Sequence, residues 1–340
     1  DGIRDRSPSR GLGDVYKRQV PTRCRRTPAT VTGRLGWLRS GDSSTSHRLD
    51  SLMPDSPTPS EPLLATLAIT GVGLIGGSIA AAARQRHVAE RIVGIGRTEK
   101  RLADAIEAGL IDEGSTDVAV AADADLAVVC TPVDRIAQDV RSLAAVMPET
   151  SLMTDAGSTK RALCQELTDL DGTHGPAFIG SHPLAGSTRQ GFEHANPDLF
   201  DHKVCVLTPQ ANADPAQMAR LETFWKALGA VVLRRTPEEH DQALARTSHL
   251  PHLVAAALAG SLSEEDTQLS ATGLRDTTRI AAGDPSLWVP IFQHNSSAIT
   301  TALARFQAQL EEFSDGLRRD DGCALQKLLE EAKRKRDGLG

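Results

Sequence analysis

Three short polar clusters hold residue types able to act on a small molecule. DAGSTK (155–160) carries Ser158, GSHPLAGS (180–187) carries His182, and GLRDTTRIAAGDPSLW (273–288) carries Arg275, Arg279 and Trp288. Histidine titrates near neutrality and can take or hold a hydroxyl proton. Arginine presents a planar fork that matches a carboxylate. Each cluster also has an ordinary reading: a helix-capping serine, a hydrogen-bonded loop histidine, arginines in surface pairs. A fourth stretch, RTSHLPHLVAAAL (246–258), sets His249 and His252 three residues apart on a helical pattern. That pair could grip a metal, serve a reaction or fill space. No third ligand of suitable spacing accompanies it, so no metal is expected. Pro251 removes a helical hydrogen bond and is expected to kink the helix. On an undistorted helix Asp241, Ser248 and His252 would share one face.

The elements that have to position these residues follow a repeating pattern. LATLAIT (64–70), RIVGIG (91–96), DLAVVCTP (125–132), SLMTDAGS (151–158), AFIGSHP (177–183), KVCVLTP (203–209) and AVVLRRT (230–236) read as buried strands. Helical stretches at 74–84 and 99–109 separate the first of them. Short apolar runs alternating with helices predict a mostly parallel sheet covered on both faces. Ser158 and His182 then fall at the carboxyl ends of strands, the ligand edge of such a sheet. At Thr236 the pattern changes. TPEE (236–239) is a helix start with a capping threonine, proline at the first helical position and glutamate three after the cap. Beyond it, 238–262, 264–272, 286–315 and 322–336 all have helical period. The expected architecture is α/β, a doubly wound Rossmann-type domain at 62–235 followed by an all-helical domain at 236–340.

TGVGLIGGS (70–78) contains Gly71-x-Gly73-x-x-Gly76 between a strand and a helix. The first glycine permits a tight turn, the second lets backbone approach a pyrophosphate, and the third lets helix pack on strand. The helix start at Leu74 and Ile75 offers uncapped N–H groups and a positive dipole end to phosphates. In NAD-binding versions a carboxylate about 20 residues on receives the ribose hydroxyls. Here that position is Gly96, followed by Arg97, with Lys100 and Arg101 close behind. A missing carboxylate with cations nearby favours NADP, with NAD as the alternative.

The leader carries different information. Residues 14–19, DVYKRQ, are what the codons GAT GTG TAT AAG AGA CAG encode, a string resembling a transposon-end sequencing adapter. Residues 1–19 are read as an assembly artefact and 20–52 as upstream read-through, since the first methionine is Met53. The Arg-, Ser- and Thr-rich, acid-poor character of 20–52 also resembles an organelle transit peptide. Residues 1–61 are therefore set aside from the fold. Residues 53–340 carry 27 basic and 39 acidic side chains, which argues against a nucleic-acid partner. No apolar run approaches the roughly 20 residues needed to span a bilayer. Five cysteines are scattered without a C-x-x-C pair, so a reducing, cytoplasmic setting is the default.

Taken together, GVGLIGGS, CTPV, DAGSTK, HPLAG, SHLPH, and RDTTRIA followed by DPSLW resemble the prephenate/arogenate dehydrogenase family of tyrosine biosynthesis. The motifs run in the family's order from about Leu64 to the C-terminal helices. The resemblance implies oxidative decarboxylation of a cyclohexadienol, as in prephenate to 4-hydroxyphenylpyruvate. His182 is implied as the group that takes the hydroxyl proton, and Ser158 as a donor to that hydroxyl that also seats the nicotinamide. Arg279 is implied for a substrate carboxylate, with Arg275 as the alternative, and His252, His249 and Trp288 complete the substrate side. Gly71, Gly73, Leu74, Ile75, Gly76, Arg97, Thr131 and Ser158 are implied to hold the dinucleotide. An intertwined homodimer through the helical domain is implied as well. One departure stands out: many members have a carboxylate where this chain has Thr188, followed by Arg189. Its loss tilts the expected substrate from arogenate, which carries an ammonium, toward prephenate. A 3-hydroxyacid dehydrogenase of similar build would call for a lysine on the helical domain, and none occurs between Lys226 and Lys327. A non-catalytic NAD(P)-sensing protein would be free to lose Ser158, His182 and Arg279.

Overall fold

The computed structural model describes residues 61–186 and 189–339. The leader and the Thr188 departure lie outside the described residues. Among the described residues, 61–308 lie in one compact unit, and those from Gln309 belong to a second.

The first unit opens with strands and helices in alternation: β1 (Leu64–Thr70), α1 (Leu74–Gln85), β2 (Ala89–Ile95), α2 (Glu99–Glu107), β3 (Glu113–Ser115), β4 (Leu126–Val129), α3 (Ile136–Ala144), β5 (Leu152–Asp155), α4 (Arg161–Glu166) and β6 (Ala177–Phe178). They build one parallel sheet in the order β3-β2-β1-β4-β5-β6. Side-chain alternation along β1 feeds two cores. Leu67 and Ile69 pack with Ile79 of α1, while Ala68 packs with Ile136 and Val140 of α3. From β1 the chain winds outward to β3, then returns to β4 and winds the other way. The crevice between the carboxyl ends of β1 and β4 is thus the switch point at which such sheets bind ligands.

The expected single sheet divides in two. The run 177–183 gives β6 and then, after Ile179 alone, β7 (Gly180–Pro183), which joins β8 (Val204–Thr208) and β9 (Val231–Arg234) in a second sheet. β7 is antiparallel to β8, and β8 is parallel to β9. Side chains cause the switch. Ile179 N–H still donates to the Met153 carbonyl (3.0 Å), but Ser181 N–H donates to the Asp155 side chain (3.0 Å). Thr154 Oγ1 caps the Ile179 carbonyl at 2.7 Å, and Trp225 Nε1, from α5 (Pro215–Ala227), donates to Ser181 Oγ.

Helices follow: α6 (Pro237–Leu244), α7 (Leu250–Gly260), α8 (Glu264–Gln268), α9 (Thr272–Thr278), α10 (Pro285–His294), α11 (Ser296–Arg318) and α12 (Gly322–Asp337). The capping box at Thr236 forms, with Glu239 N–H donating to Thr236 Oγ1 and Thr236 N–H to the Glu239 carboxylate. Two long helices expected from sequence are interrupted. A π-helical turn at Ala245–His249 stands between α6 and α7, and Asn295 separates α10 from α11. The Asn295 amide donates to the Asp241 carbonyl (2.8 Å) and meets His249 Nδ1 (3.1 Å), which favours a break there. Among the described residues no helix is long and apolar enough to cross a membrane.

Candidate active site

At the switch point the three glycines differ in what they permit. Gly71 has φ +90°, and a Cβ there would sit 3.0 Å from the Cys130 carbonyl. Gly73 opens onto free space, so a ligand can approach its backbone. A Cβ on Gly76 would lie 2.3 Å from the Gly71 carbonyl oxygen, so only glycine lets α1 pack this closely on the turn. Gly73 provides no side-chain cap, leaving the first N–H groups of α1, around half-buried Leu74 and Ile75, open to phosphate. This cradle fits a dinucleotide. Gly76→Ala is expected to raise the cofactor dissociation constant about tenfold or more, since backbone rather than a flexible side chain has to move; fluorescence titration with reduced cofactor checks it.

Thr131 sits beside Gly71, and its hydroxyl donates to Asp139 at 2.6 Å. Arg97 is exposed just past β2 with no ion-pair partner among the described residues. Arg101, by contrast, is engaged: it reaches Glu193 at 3.3 Å and lies over the Phe192 ring.

The second cluster is held by one buried ion pair. Lys160 and Asp155 are both fully buried, with Nζ 2.6 Å from the carboxylate. Lys160 Nζ also donates to the Gly157 and Thr159 carbonyls, and Asp155 accepts the Gly157 N–H. The loop is thereby wrapped around the lysine, with half-buried Ser158 between the tethered residues. Asp155 accepts Ser181 N–H with its other oxygen, so one carboxylate positions both the Ser158 loop and the strand that carries His182.

His182 is buried and does not stand alone. Its Nδ1 lies 2.8 Å from His240 Nε2, and His240 Nδ1 lies 2.8 Å from Asp241 Oδ1. Asp241 further accepts the N–H groups of Lys160 (2.8 Å) and Arg161 (2.9 Å). Burial alone would raise the Asp241 pKa, but the bonds from His240 and these two amides carry it below the usual value. An ionised Asp241 fixes the proton on His240 Nδ1. His240 Nε2 is then an acceptor for the Nδ1–H of His182, which leaves the His182 Nε2 lone pair for a ligand. Burial first, then the neighbouring His240, Lys160 and His249, push the His182 pKa well below 6.5. Burial lowers His240 also.

His249 is buried against Asn295, its pKa lowered to about 4 by burial, and its Nε2 has no hydrogen-bond partner among the described residues. His252 stacks on Trp288 with ring centroids 3.5 Å apart and planes 15° from parallel. A π-helical turn stands just before Pro251, whose ring withholds a backbone N–H from the continuous run of helix there. Arg279 begins an exposed 3-10 turn (Arg279–Ala282), and Arg275 is exposed on α9. Gly283, at the end of that turn, packs so close that a Cβ would meet Trp288 and His252 within 2.7 Å. Gln190, from the loop after His182, donates to Asp284 at 2.8 Å, tying that loop to the start of α10. Among the described residues no three metal-binding side chains gather.

Buried imidazoles with lowered pKa values, His252 among them, make stability depend on pH. His182, His240 and His249 have lowered pKa values in the folded chain, whereas unfolded histidine titrates near 6.5. Below pH 6.5 the unfolded chain binds protons that the folded one refuses, so stability falls as pH falls, by up to about 1.4 kcal/mol per pH unit per imidazole. For His249 the loss runs from 6.5 to about 4. Urea midpoints at pH 7 and pH 5 check this; a midpoint higher at pH 5 would contradict it.

Sequence reasoning missed His240, the link between His182 and Asp241, and the roles of Lys160 and Asn295. The adjacent His240–Asp241 pair at a helix start was the available signal.

Comparison with known proteins gives a consistent picture. Residues 79–234 match the family described as prephenate dehydrogenase, nucleotide-binding domain, and 236–331 the one described as prephenate dehydrogenase, dimerization domain. The chain is 31% identical over 285 residues to the prephenate dehydrogenase of Bacillus subtilis, covering 81% of this chain and 76% of that protein. It is 31% identical over 282 residues to the cyclohexadienyl dehydrogenase of Zymomonas mobilis, covering 80% and 95%. The crystal structure of prephenate dehydrogenase from A. aeolicus in complex with hydroxyphenyl propionate and NAD+ superposes with a TM-score of 0.76 at 31% identity, covering 81% of this chain and 98% of that one. With the glycine cradle at the sheet's switch point, these matches establish that the chain belongs to the prephenate/arogenate dehydrogenase family of nicotinamide-dependent oxidoreductases.

Proposed function

We propose that the protein is a prephenate dehydrogenase, with residues 62–235 binding the dinucleotide and 236–340 serving substrate binding and dimerisation. The observation that carries the reading is the ordered chain Asp241–His240–His182, which presents a neutral imidazole nitrogen from the strand next to the Ser158 loop. The bound nicotinamide supplies the hydride acceptor. His182 Nε2 accepts the hydrogen bond of the substrate hydroxyl as its carbon gains carbonyl character. The ring carboxylate departs as CO2, and its electron pair completes the aromatic ring. Ser158 hydrogen-bonds the same oxygen, and Arg279 pairs with a substrate carboxylate, with Arg275 as the alternative. His252 donates to the substrate while Trp288 holds its ring plane, and His249 orients its neighbour. Absorbance at the reduced nicotinamide band with prephenate and arogenate tests the reading; no turnover on either substrate overturns it. Thr188 in place of a carboxylate supports prephenate as the better of the two.

For the cofactor we favour NADP. Arg97, with no ion-pair partner among the described residues, follows Gly96, the position at which NAD-binding chains have their carboxylate, and Lys100 is exposed nearby. Arg101 contributes less, since Glu193 and Phe192 engage it. A kcat/KM far higher with NAD than with NADP overturns this preference. The homodimer is supported by the description of the matched dimerization domain and by exposed apolar side chains on α10, Leu287 and Val289. Sedimentation should return twice the chain mass.

His240 is a positioning residue. His240→Leu removes the acceptor for His182 Nδ1–H and is expected to lower kcat about 100-fold with little change in cofactor KM. His240→Gln, whose amide oxygen can replace that acceptor, should recover part of the loss. Equal kcat in the Leu variant and the parent would remove His240 from the mechanism.

A further inference from the structure

Behind the relay lies a second cavity, of about 260 Å³, that contains none of His182, Ser158, Arg279 or Trp288. Its lining joins the start of α4, the α6–π-turn segment and the first turns of α11. Three arginines contribute to it from three different elements: Arg161, Arg246 and Arg305. Among the described residues none of these guanidinium groups has an ion-pair or hydrogen-bond partner. Two carboxylates share the lining, Glu238 and Asp241. Asp241 is already held by His240 and by the Lys160 and Arg161 amides, so it does not serve the arginine forks. Half-buried His294 and the hydroxyls of Ser296 and Ser297 add donors.

Arg161, Arg246 and Arg305 are exposed and line one cavity, which gives it a positive potential, and their planar forks match the oxygens of carboxylate or phosphate. The volume is just under that of typical drug-sized pockets, which suits a small metabolite. We propose that this cavity binds a small oxyanion carrying at least two negative charges, at a site separate from those of the cofactor and the reacting substrate. Carboxylate and phosphate share the required chemistry. Asp241 belongs to the same wall, so the occupant adjoins the relay without entering it. This site does not depend on which substrate the enzyme oxidises.

Calorimetric titration of citrate, and separately of inorganic phosphate, into the full-length protein saturated with nicotinamide dinucleotide tests the site. The dinucleotide fills the α1 crevice and removes it as an anion sink. At least one anion should bind saturably, and the two arms tell a carboxylate ligand from a phosphate one. The double variant Arg246→Gln/Arg305→Gln should weaken binding about tenfold or more, whereas Arg279→Gln should leave it unchanged. Turnover of the double variant on prephenate without added anion should match the parent, as should its thermal midpoint, because neither guanidinium loses a partner. The charge-keeping Arg246→Lys/Arg305→Lys variant should retain binding. No saturable binding of either anion overturns the proposal, as does affinity unaltered by the double variant. A double variant that dissociates into monomers while still binding the anion overturns it too, since the arginines would then serve contacts between copies.

Discussion

Replacing His182 by asparagine is expected to lower kcat about 1,000-fold, within the range for losing a positioned acid–base group, while cofactor affinity stays near that of the parent. Asparagine keeps polar atoms near His240 but cannot offer a basic ring nitrogen to the substrate hydroxyl. The cradle at Gly71, Gly73 and Gly76 is built from other elements, so cofactor binding has no reason to change. Burial holds the His182 pKa well below 6.5, so the acid limb of the parent's kcat profile should also lie well below that pH. Stopped-flow turnover with saturating cofactor, over a pH series, measures both. An Asn variant that turns over like the parent would take His182 out of the chemistry.

The second large effect concerns stability. Lys160→Met is expected to cost about 3–5 kcal/mol, the usual consequence of removing one partner from a fully buried ion pair. Both side chains of the Lys160–Asp155 pair have no solvent exposure, and the remaining carboxylate would face only the Gly157 and Ser181 amides. The Asp155→Asn/Lys160→Met double variant leaves no orphaned charge and should recover part of the loss. Urea denaturation of the three proteins checks the order. A single variant within about 1 kcal/mol of the parent would show that the pair holds nothing in place. Activity should fall alongside stability, because Asp155 tethers both the Ser158 loop and the strand of His182.

Much of the fold is legible in local pattern. The apolar runs at 64–70, 91–96 and 151–155 are strands because burial on both faces leaves no room for polar alternation, and the glycine spacing carries its own steric logic at Gly76. The switch between sheets at Ile179 is not legible, since it depends on Asp155 and Thr154 taking over hydrogen bonds from a strand about 25 residues away in sequence. The same holds for the site. Motif spacing singles out Ser158, His182 and His252, whereas His240 acquires meaning only when α6 is laid beside β7. Lys160 reads as a surface cation by residue type, yet its ammonium finds an acid and two carbonyls inside the protein. Such long-range pairings leave no periodicity to detect.

The π-helical turn at Ala245–His249 has a consequence for angular phase. Eleven residues separate Asp241 from His252, and on an unbroken α-helix they would point within about 20° of each other. A π-turn inserts the equivalent of one extra residue, which retards everything after it by about 100°. The rod formed by α6 and α7 therefore faces two ways: Asp241 toward the amides of Lys160 and Arg161, His252 toward the Trp288 ring. Straightening that turn into α-helix with all its residues kept would restore the common phase and swing the His252 ring off its stacking partner, whereas deleting one residue from ARTSH would remove the bulge and leave His252 in its present phase. The aim of the two side chains thus rests on the hydrogen-bond pitch of a single turn as much as on the number of residues between them.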